Sequence, residues 1–179
     1  MYQLFIGGNY VDGKGKKIDV INPADNTVVD SFCSATKEQA EEALETAQET
    51  FKTWGKTSVM ERCRLLSKFA DLVEEHQDEI SRLNSLETGK PYGEAYGDTG
   101  FCLNVLRFHA EEAKRVYGTT LNDYNSQRGS VYHMVEKRPV GVVVGHLAWN
   151  YPMYNAALKI GPVIGSGCTA VLKPSSQTP

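Results

Sequence analysis

Two polar side chains follow apolar runs that have the composition of buried strands. The run "VVVGHLAW" leads to Asn150, and the run "CTAVL" leads to Lys173. An asparagine amide can donate hydrogen bonds to a developing oxyanion, and a lysine ammonium can bind a hydroxyl or a phosphate. Two ordinary roles stay open, with Asn150 as a turn residue or helix N-cap and Lys173 as a solvated loop residue. If the two runs are parallel strands, both residues lie at the sheet edge where α/β proteins bind ligands.

The segment that contains both residues has the pattern of a strand, a helix and a second strand. "VGVVVGHLA" is a nearly continuous β-branched run, which is typical of a strand buried on both faces. "YPMYNAALKIGPVIGSG" predicts a helix with small residues on its packing face, and "CTAVLKPS" predicts another buried strand. Such a unit of about 35 residues implies parallel pairing and a right-handed crossover.

The residues before this unit predict two hairpins, a helical layer and an exposed strand. Turn residues separate short apolar runs in "LFIGGNYVDG" and in "IDVINPADNTVVDSF", which is a hairpin pattern in each case. Thr36 and Gln39 fit a capping box at the start of a helix that Gly55 ends, and Ser58 begins a second helix. The further predicted elements are a helix over 78–87, a helix over 92–117 that Gly118 caps, and an exposed strand in "GSVYHMVEKRP".

Composition argues against several classes of protein. The net charge is −3, so no excess of basic charge attracts nucleic acid or an anionic membrane, and neither is expected as a partner. No apolar run approaches the roughly 20 residues that span a bilayer, and the N-terminus lacks the pattern of a signal peptide. The four cysteines are scattered without a Cys-x-x-Cys pair, which indicates reduced thiols and a cytoplasmic protein.

Two stretches of the chain resemble the aldehyde dehydrogenase superfamily. They are "PVGVVVGHLAWNYP" and "KIGPVIGSGCTAVLKPSSQTP", and weaker similarity in "FIGGNYVDG", "INPADNTVV" and "LETGKP" extends the resemblance over the whole chain. It implies an α/β fold in which an N-terminal helical layer joins the first βαβ unit of a Rossmann-like cofactor domain. The implied divisions are strands and helices over 1–118, a strand excursion toward an oligomerisation domain over 119–138, and a truncated cofactor-binding βαβ unit over 139–179.

The resemblance also implies a chemistry, the NAD(P)-dependent oxidation of an aldehyde to a carboxylic acid. In the family a cysteine thiolate attacks the aldehyde, and an asparagine amide stabilises the oxygen of the resulting thiohemiacetal. Asn150 stands at that position. Leu147, Ala148 and Trp149 would line the nicotinamide-ribose side of the cofactor, and Lys173 would bind the adenosine ribose.

The residue at 176 bears on the choice between NAD and NADP. Members of the family that prefer NAD often carry a glutamate there, which accepts hydrogen bonds from the ribose hydroxyls. This chain carries Ser176 instead. A serine does not repel a 2′-phosphate and can hydrogen-bond to it, so the resemblance slightly favours NADP, or the use of both cofactors.

Two further sets of residues align with sites known in the family. Tyr151, Asn155 and Leu158 align with the wall of the substrate tunnel, and the alternative is that they pack against the third long helix. A monovalent cation site in some members uses backbone carbonyls near the early Asn-Pro turn and a carboxylate before "GKP". Here those groups would be Val20 or Ile21 and Glu87, and the alternative is a surface glutamate near a helix end.

The resemblance also shows what the chain does not contain. In the family the catalytic cysteine, the general-base glutamate and the glycine-rich pyrophosphate turn all lie beyond the adenosine-binding lysine. The four local cysteines have no basic partner in view and are expected to be structural. We therefore expect an inactive N-terminal fragment of a homo-oligomeric enzyme that oxidises an aldehyde, with a semialdehyde suggested by members that share the "KPxSQTP" ending. The alternative is a naturally short, non-catalytic module that binds nucleotide or associates with other subunits.

Overall fold

A computed structural model describes residues 2–123, 125, 127 and 131–179. Among these residues, no helix combines the length and apolar content that crossing a bilayer requires. The strands are β1 (Leu4–Ile6), β2 (Asn9–Val11), β3 (Lys17–Ile21), β4 (Val28–Cys33), β5 (Thr119–Asn122), β6 (Tyr132–Val135), β7 (Val142–His146) and β8 (Thr169–Lys173). The helices are α1 (Lys37–Trp54), α2 (Val59–Glu75), α3 (Gln77–Thr88), α4 (Tyr92–Glu112) and α5 (Pro152–Ser166).

Each described strand pairs with one neighbour. β1 pairs with β2, β3 with β4 and β5 with β6, in each case antiparallel. β7 pairs with β8 in parallel, with Val142 opposite Thr169 at one end and His146 opposite Lys173 at the other. Both predicted hairpins and the parallel pairing of the βαβ unit are therefore confirmed.

Side-chain caps begin the first two helices at the predicted residues. Thr36 Oγ1 accepts a hydrogen bond from the Gln39 N–H, and Gln39 Oε1 accepts one from the Thr36 N–H. Ser58 Oγ accepts a hydrogen bond from the N–H of Glu61 at 3.2 Å. These bonds satisfy N–H groups that have no partner within their own helix.

The hydrophobic core lies between α2, α4 and α5. Apolar residues recur on one face of each helix, and burying that face is the main source of helix stability in a folded protein. Complete burial of one leucine side chain contributes about 1.5–3 kcal/mol. The buried members of this cluster are Leu66, Ala70, Val73, Cys102, Leu103, Leu106, Ala110 and Ala157.

The long helix is shorter than predicted. α4 ends at Glu112 rather than at 117, and the chain tightens into a 3₁₀ turn over Ala113–Arg115. Gly118 does not cap the helix. A Cβ at this position would collide with the carbonyl oxygen of Val135 in β6, so the glycine permits a close approach of two backbones.

The strands of the βαβ unit are less buried than predicted. Val144 is 55% exposed, and Gly145 is the one fully buried residue of β7. Within the described residues this sheet has two strands, so each of them has a single hydrogen-bonded neighbour. A β-branched run is typical of a central strand in a sheet that is covered on both faces. In a sheet of two strands, each strand lies at an edge and is less buried.

The hairpin of β5 and β6 is exposed at every residue. This agrees with the exposed strand predicted in "GSVYHMVEKRP". The predicted excursion over 119–138 also includes residues 124, 126 and 128–130, which lie outside the described residues.

Candidate oxyanion and nucleotide site

The parallel pairing of β7 and β8 brings their carboxyl ends to one edge of the sheet. His146 stands opposite Lys173 in the register, and the Leu147 N–H donates to the Lys173 carbonyl at 3.0 Å. The chain then bends through Trp149 and Asn150 before α5 begins. The two candidate segments that the sequence singled out therefore meet at one edge, where α/β sheets bind ligands.

The amide of Asn150 is available for a ligand. The side chain is exposed, and it makes no hydrogen bond within the described part of the chain. Asn150 is also not the N-cap of α5, because Tyr151 occupies that position. The alternative of a helix cap is therefore wrong, whereas Asn150 does lie in the bend between strand and helix.

Three residues predicted to line a substrate tunnel lie at the start of α5. Tyr151 is exposed, and its carbonyl accepts hydrogen bonds from the Asn155 N–H at 2.8 Å and from Asn155 Nδ2 at 3.0 Å. Leu158 is half-buried one turn further along the helix. One side-chain N–H of Asn155 therefore bonds to the first turn of α5, which leaves its amide oxygen and its second N–H able to meet a ligand.

The polar groups at the end of β8 and just after it are exposed at the same edge. Lys173 Nζ donates to the Pro174 carbonyl at 3.0 Å and forms no ion pair with any carboxylate among the described residues. Ser176 is exposed in a turn that a Ser175–Thr178 bridge closes. An unpaired ammonium and a hydroxyl at one edge fit the hydroxyls of a ribose or a phosphate ester. The described residues contain no cluster of three or more His, Cys, Asp or Glu side chains that could hold a metal ion.

The residues predicted to hold a monovalent cation lie where β3 ends and α3 ends. Glu87 is buried, and one of its carboxylate oxygens accepts a hydrogen bond from the Tyr2 hydroxyl at 2.7 Å. Burial raises the pKa of Glu87, and the bond from Tyr2 offsets part of that rise. Pro23, just after Ile21, approaches the position of a Cβ on Gly89 to 2.7 Å, which places the early turn against the end of α3.

The comparisons with known proteins address the family of the chain. The profile described as "Aldehyde dehydrogenase family" matches residues 10–179, which is nearly the whole sequence. The chain belongs to the aldehyde dehydrogenase family. The predicted α/β fold is confirmed by the same comparisons, because solved aldehyde dehydrogenases superpose on this chain over nearly all of its length.

Two relatives and two solved structures illustrate the match. The NADP(+)-dependent succinate-semialdehyde dehydrogenase of Escherichia coli (strain K12) is 35% identical over 99% of this chain and 36% of its own length. The mitochondrial succinate-semialdehyde dehydrogenase of Arabidopsis thaliana is 39% identical over 99% of this chain and 33% of its own. Structures of an E. coli NADP-dependent enzyme and of a Sinorhizobium meliloti NAD-dependent aldehyde dehydrogenase have TM-scores of 0.93 and 0.91, at 35% and 36% identity, and each covers 99% of this chain. This chain covers 36% of each of those two structures.

The three buried cysteines do not have the setting of a catalytic nucleophile. Cys168 directly precedes β8, so it lies at the edge of the sheet opposite to Asn150. Cys63 and Cys102 are buried within α2 and α4, and burial raises the pKa of Cys102 to about 11. A thiol with so high a pKa carries almost no thiolate at neutral pH. These three cysteines fit the structural role that the sequence predicted for them.

One residue beside the site was not predicted from the sequence. Lys90 Nζ lies 2.6 Å from Asp98 Oδ2 and 3.6 Å from the centre of the Tyr151 ring. Lys90 lies between α3 and α4, far along the chain from Tyr151, and no periodic pattern connects the two. The sequence signal that includes Lys90 is the motif "LETGKP", which is similar to the family but does not indicate a contact with Tyr151.

Proposed function

We propose that this chain supplies the N-terminal portion of an enzyme that oxidises an aldehyde to a carboxylic acid with NAD(P). The supporting observation is that the strand leading to Asn150 pairs in parallel with the strand that ends at Lys173, in a chain that matches the family over nearly its whole length. The Asn150 amide would donate to the oxygen that becomes negative when a thiolate adds to the carbonyl. The thiolate and the general base belong to the part of the family that this chain does not cover.

Lys173 and Ser176 would hold the adenosine ribose of the cofactor, and Leu147, Ala148 and Trp149 would flank its nicotinamide ribose. The bound cofactor supplies the acceptor for the hydride of the substrate. We propose NADP as the better cofactor, because Ser176 places no carboxylate against a 2′-phosphate. The relatives include both kinds, an NADP(+)-dependent enzyme from E. coli and an NAD-dependent one from S. meliloti.

A semialdehyde is the substrate class that we propose. Succinate-semialdehyde dehydrogenases of E. coli and A. thaliana and a glutarate-semialdehyde dehydrogenase of Pseudomonas aeruginosa are among the relatives at 35–39% identity. Tyr151, Asn155 and Leu158 would form part of the tunnel wall. A tyrosine and an asparagine make that wall partly polar, which suits a substrate with a second polar group.

A monovalent cation would bind between the carbonyl of Ile21 and the carboxylate of Glu87. Asn84 supports this proposal, because both polar atoms of its buried side chain lack a hydrogen-bond partner in the described residues and it lies one turn before Glu87. We expect K⁺ or Na⁺ to raise the midpoint of thermal unfolding relative to tetramethylammonium. The Glu87→Gln variant should show no such difference, and an equal response in both proteins would contradict the site.

The exposed β5–β6 hairpin would carry subunit contacts in a homo-oligomer. Leu121, Tyr132 and Met134 are large apolar side chains that lie exposed on it. A division of the chain into 1–118, 119–138 and 139–179 follows from this role, with the middle part leaving the body of the subunit. We propose the cytoplasm as the location, since the four cysteines are unpaired.

The decisive experiment is an activity assay on the gene product at its native length. Succinic and glutaric semialdehyde are supplied with NADP or NAD, and reduction of the nicotinamide is followed by absorbance. We expect aldehyde-dependent reduction by a polypeptide of the relatives' length and none by the 179-residue chain alone. An intact mass of the native product establishes which of the two exists in the cell. Turnover by the 179-residue chain, or none by a full-length product, would overturn the proposal.

A further inference from the structure

The ion pair of Lys90 and Asp98 is more buried than the other ion pairs between described residues. The two side chains are 19% and 11% exposed, and the charged atoms are 2.6 Å apart. In the other ion pairs between described residues, both side chains are at least 39% exposed. Exposed pairs contribute little to stability, whereas the attraction within a buried pair is screened much less by solvent and salt.

The backbone of Lys90 is itself well anchored. Gly89 ends α3 in the left-handed conformation, with φ of 73°, and so turns the chain toward α4. The Ser85 hydroxyl donates to the Lys90 carbonyl at 2.6 Å, and the Lys90 N–H donates to Thr88 Oγ1 at 3.3 Å. Lys90 therefore extends its ammonium from a fixed base at the junction of two helices.

The ammonium of Lys90 reaches the residue that follows Asn150. It lies 3.6 Å from the centre of the Tyr151 ring, within the range of a cation–π contact. The carbonyl of Tyr151 is held separately by the two hydrogen bonds from Asn155. The Asn150 side chain has no hydrogen bond to another described residue, so the backbone of the bend, which Tyr151 continues, is what sets the position of its amide.

Direct binding of an anionic substrate is a second conceivable role of Lys90, and its pairing with Asp98 argues against that role. Asp98 neutralises its charge at 2.6 Å, so the pair presents no net positive charge to a carboxylate. What the pair does provide is a rigid contact with an aromatic ring. A contact that fixes one residue beside an oxyanion donor acts through geometry, and a misplacement of about 1 Å can cost a hundredfold in rate.

We propose that Lys90, held by Asp98, is a positioning residue that fixes the Asn150–Tyr151 bend for aldehyde oxidation. The catalytic half of this inference rests on the proposed function. Lys90 does not touch the reacting atoms and acts through the ring of Tyr151. Neither residue of the ion pair was among the site residues expected from the sequence.

The first test is a double-mutant cycle in the full-length enzyme. Lys90→Met keeps the length of the side chain and removes the charge, and we expect kcat to fall about tenfold with the KM for the cofactor unchanged. In an Asn150→Ala background the same change should cost less than about twofold, because the amide that it positions is gone. An equal loss in both backgrounds would show that Lys90 acts independently of Asn150 and would overturn the proposal.

The second test measures the contact without relying on activity. The protein is labelled with 3-fluorotyrosine, and the ¹⁹F resonance of Tyr151 is assigned by its loss in Tyr151→Phe. Lys90→Met should shift that resonance, and Lys68→Met, at an exposed lysine of α2, should leave it in place. If the chemical shift of the Tyr151 resonance is unchanged in Lys90→Met, the proposal is wrong. A wild-type enzyme without turnover overturns the proposed function and the catalytic role of Lys90 with it, while the resonance still decides whether Lys90 holds Tyr151.

Discussion

The Asn150 side chain lies exposed between β7 and α5, and no hydrogen bond within the described residues engages it. Buried amides in proteins normally find partners within the fold. An exposed amide at the carboxyl edge of a parallel sheet gives up no partner among the described residues when it donates to a ligand. At the scale of the residue, this is the basis for proposing that Asn150 donates to the oxyanion.

Replacing Asn150 by alanine should lower kcat by about 10²–10³, which is the usual cost of losing one oxyanion donor. Asn150→Asp should lose a similar amount, because it keeps the shape but replaces the N–H donor with a negative charge. Steady-state kinetics of the full-length enzyme measure kcat, and a fluorescence titration measures cofactor binding. Weaker cofactor binding with kcat unchanged would contradict the role.

Replacing Ser176 by glutamate should reverse the preference between cofactors. The new carboxylate would repel a 2′-phosphate and accept hydrogen bonds from the ribose hydroxyls, so kcat/KM for NADP should fall about tenfold or more while that for NAD is kept or improved. Gln177→Glu is the matched control, because it adds the same charge at the adjacent exposed position. An equal effect of both substitutions would mean that the charge acts at long range and not at the ribose.

At the scale of the element, α5 begins at the site and ends against α2. Arg62, a buried residue of α2, donates from Nε to the Gly165 carbonyl at 3.1 Å and from its guanidinium to the Thr57 carbonyl. The last carbonyls of a helix have no partner within it, and a positive charge there is favourable. Arg62 thus fixes the far end of the helix that follows Asn150.

Replacing Arg62 by alanine should destabilise the protein by about 2–4 kcal/mol, because the buried Gly165 carbonyl and the half-buried Thr57 carbonyl lose their donor and a cavity remains. Arg64→Ala is the matched control on the same helix. Arg64 pairs with Glu61 at 2.6 Å on the exposed face, so its removal should change stability little. Urea unfolding of both variants measures the difference, and equal values would show that the Arg62 bonds contribute little net stability.

At the scale of the whole molecule, the packing of α4 against α5 joins the helical layer to the βαβ unit. The same hydrophobic cluster contains Leu106 and Ala110 from α4 and Ala157 from α5. His109 lies at this contact, with its ring and Cβ against Gly161 of α5. A larger residue at 161 would collide with His109, so the glycine sets how closely the two helices approach.

Protonation of His109 should weaken the packing of α4 against α5. Burial lowers the pKa of His109, and the nearby Glu112 partly offsets the effect. The unfolded chain therefore binds the proton more readily than the native protein. The stability that the neutral ring provides is fully present above the ordinary histidine pKa of about 6.5 and is lost progressively as pH falls from there toward the lowered pKa of the native state.

Denaturant unfolding between about pH 8 and pH 5 should show this loss in the wild-type protein, and His109→Gln should reduce it. His133→Gln is the control, since His133 lies on the exposed strand β6 and packs against no helix in this way. A pH dependence that His109→Gln leaves intact would place the titrating group elsewhere.

Local sequence determined much of the secondary structure. The hairpins around Gly7-Gly8 and Asn22-Pro23, the capping box of Thr36 and the N-cap Ser58 were all predictable, because each depends on residues within a few positions of one another. The end of α4 was not predictable in this way. Gly118 has the residue type of a helix cap, but a glycine is needed there because the backbone of β6, which lies farther along the chain, leaves no room for a Cβ.

The sequence by itself determined the family, the βαβ unit and the candidate residues Asn150 and Lys173, since residue types and short spacings carry that information. Only the tertiary structure decided that Leu147 bonds to Lys173 and that Lys90 lies over the Tyr151 ring. These contacts join residues from different elements. Their geometry depends on how the helices and strands pack together, which no local pattern of residues specifies.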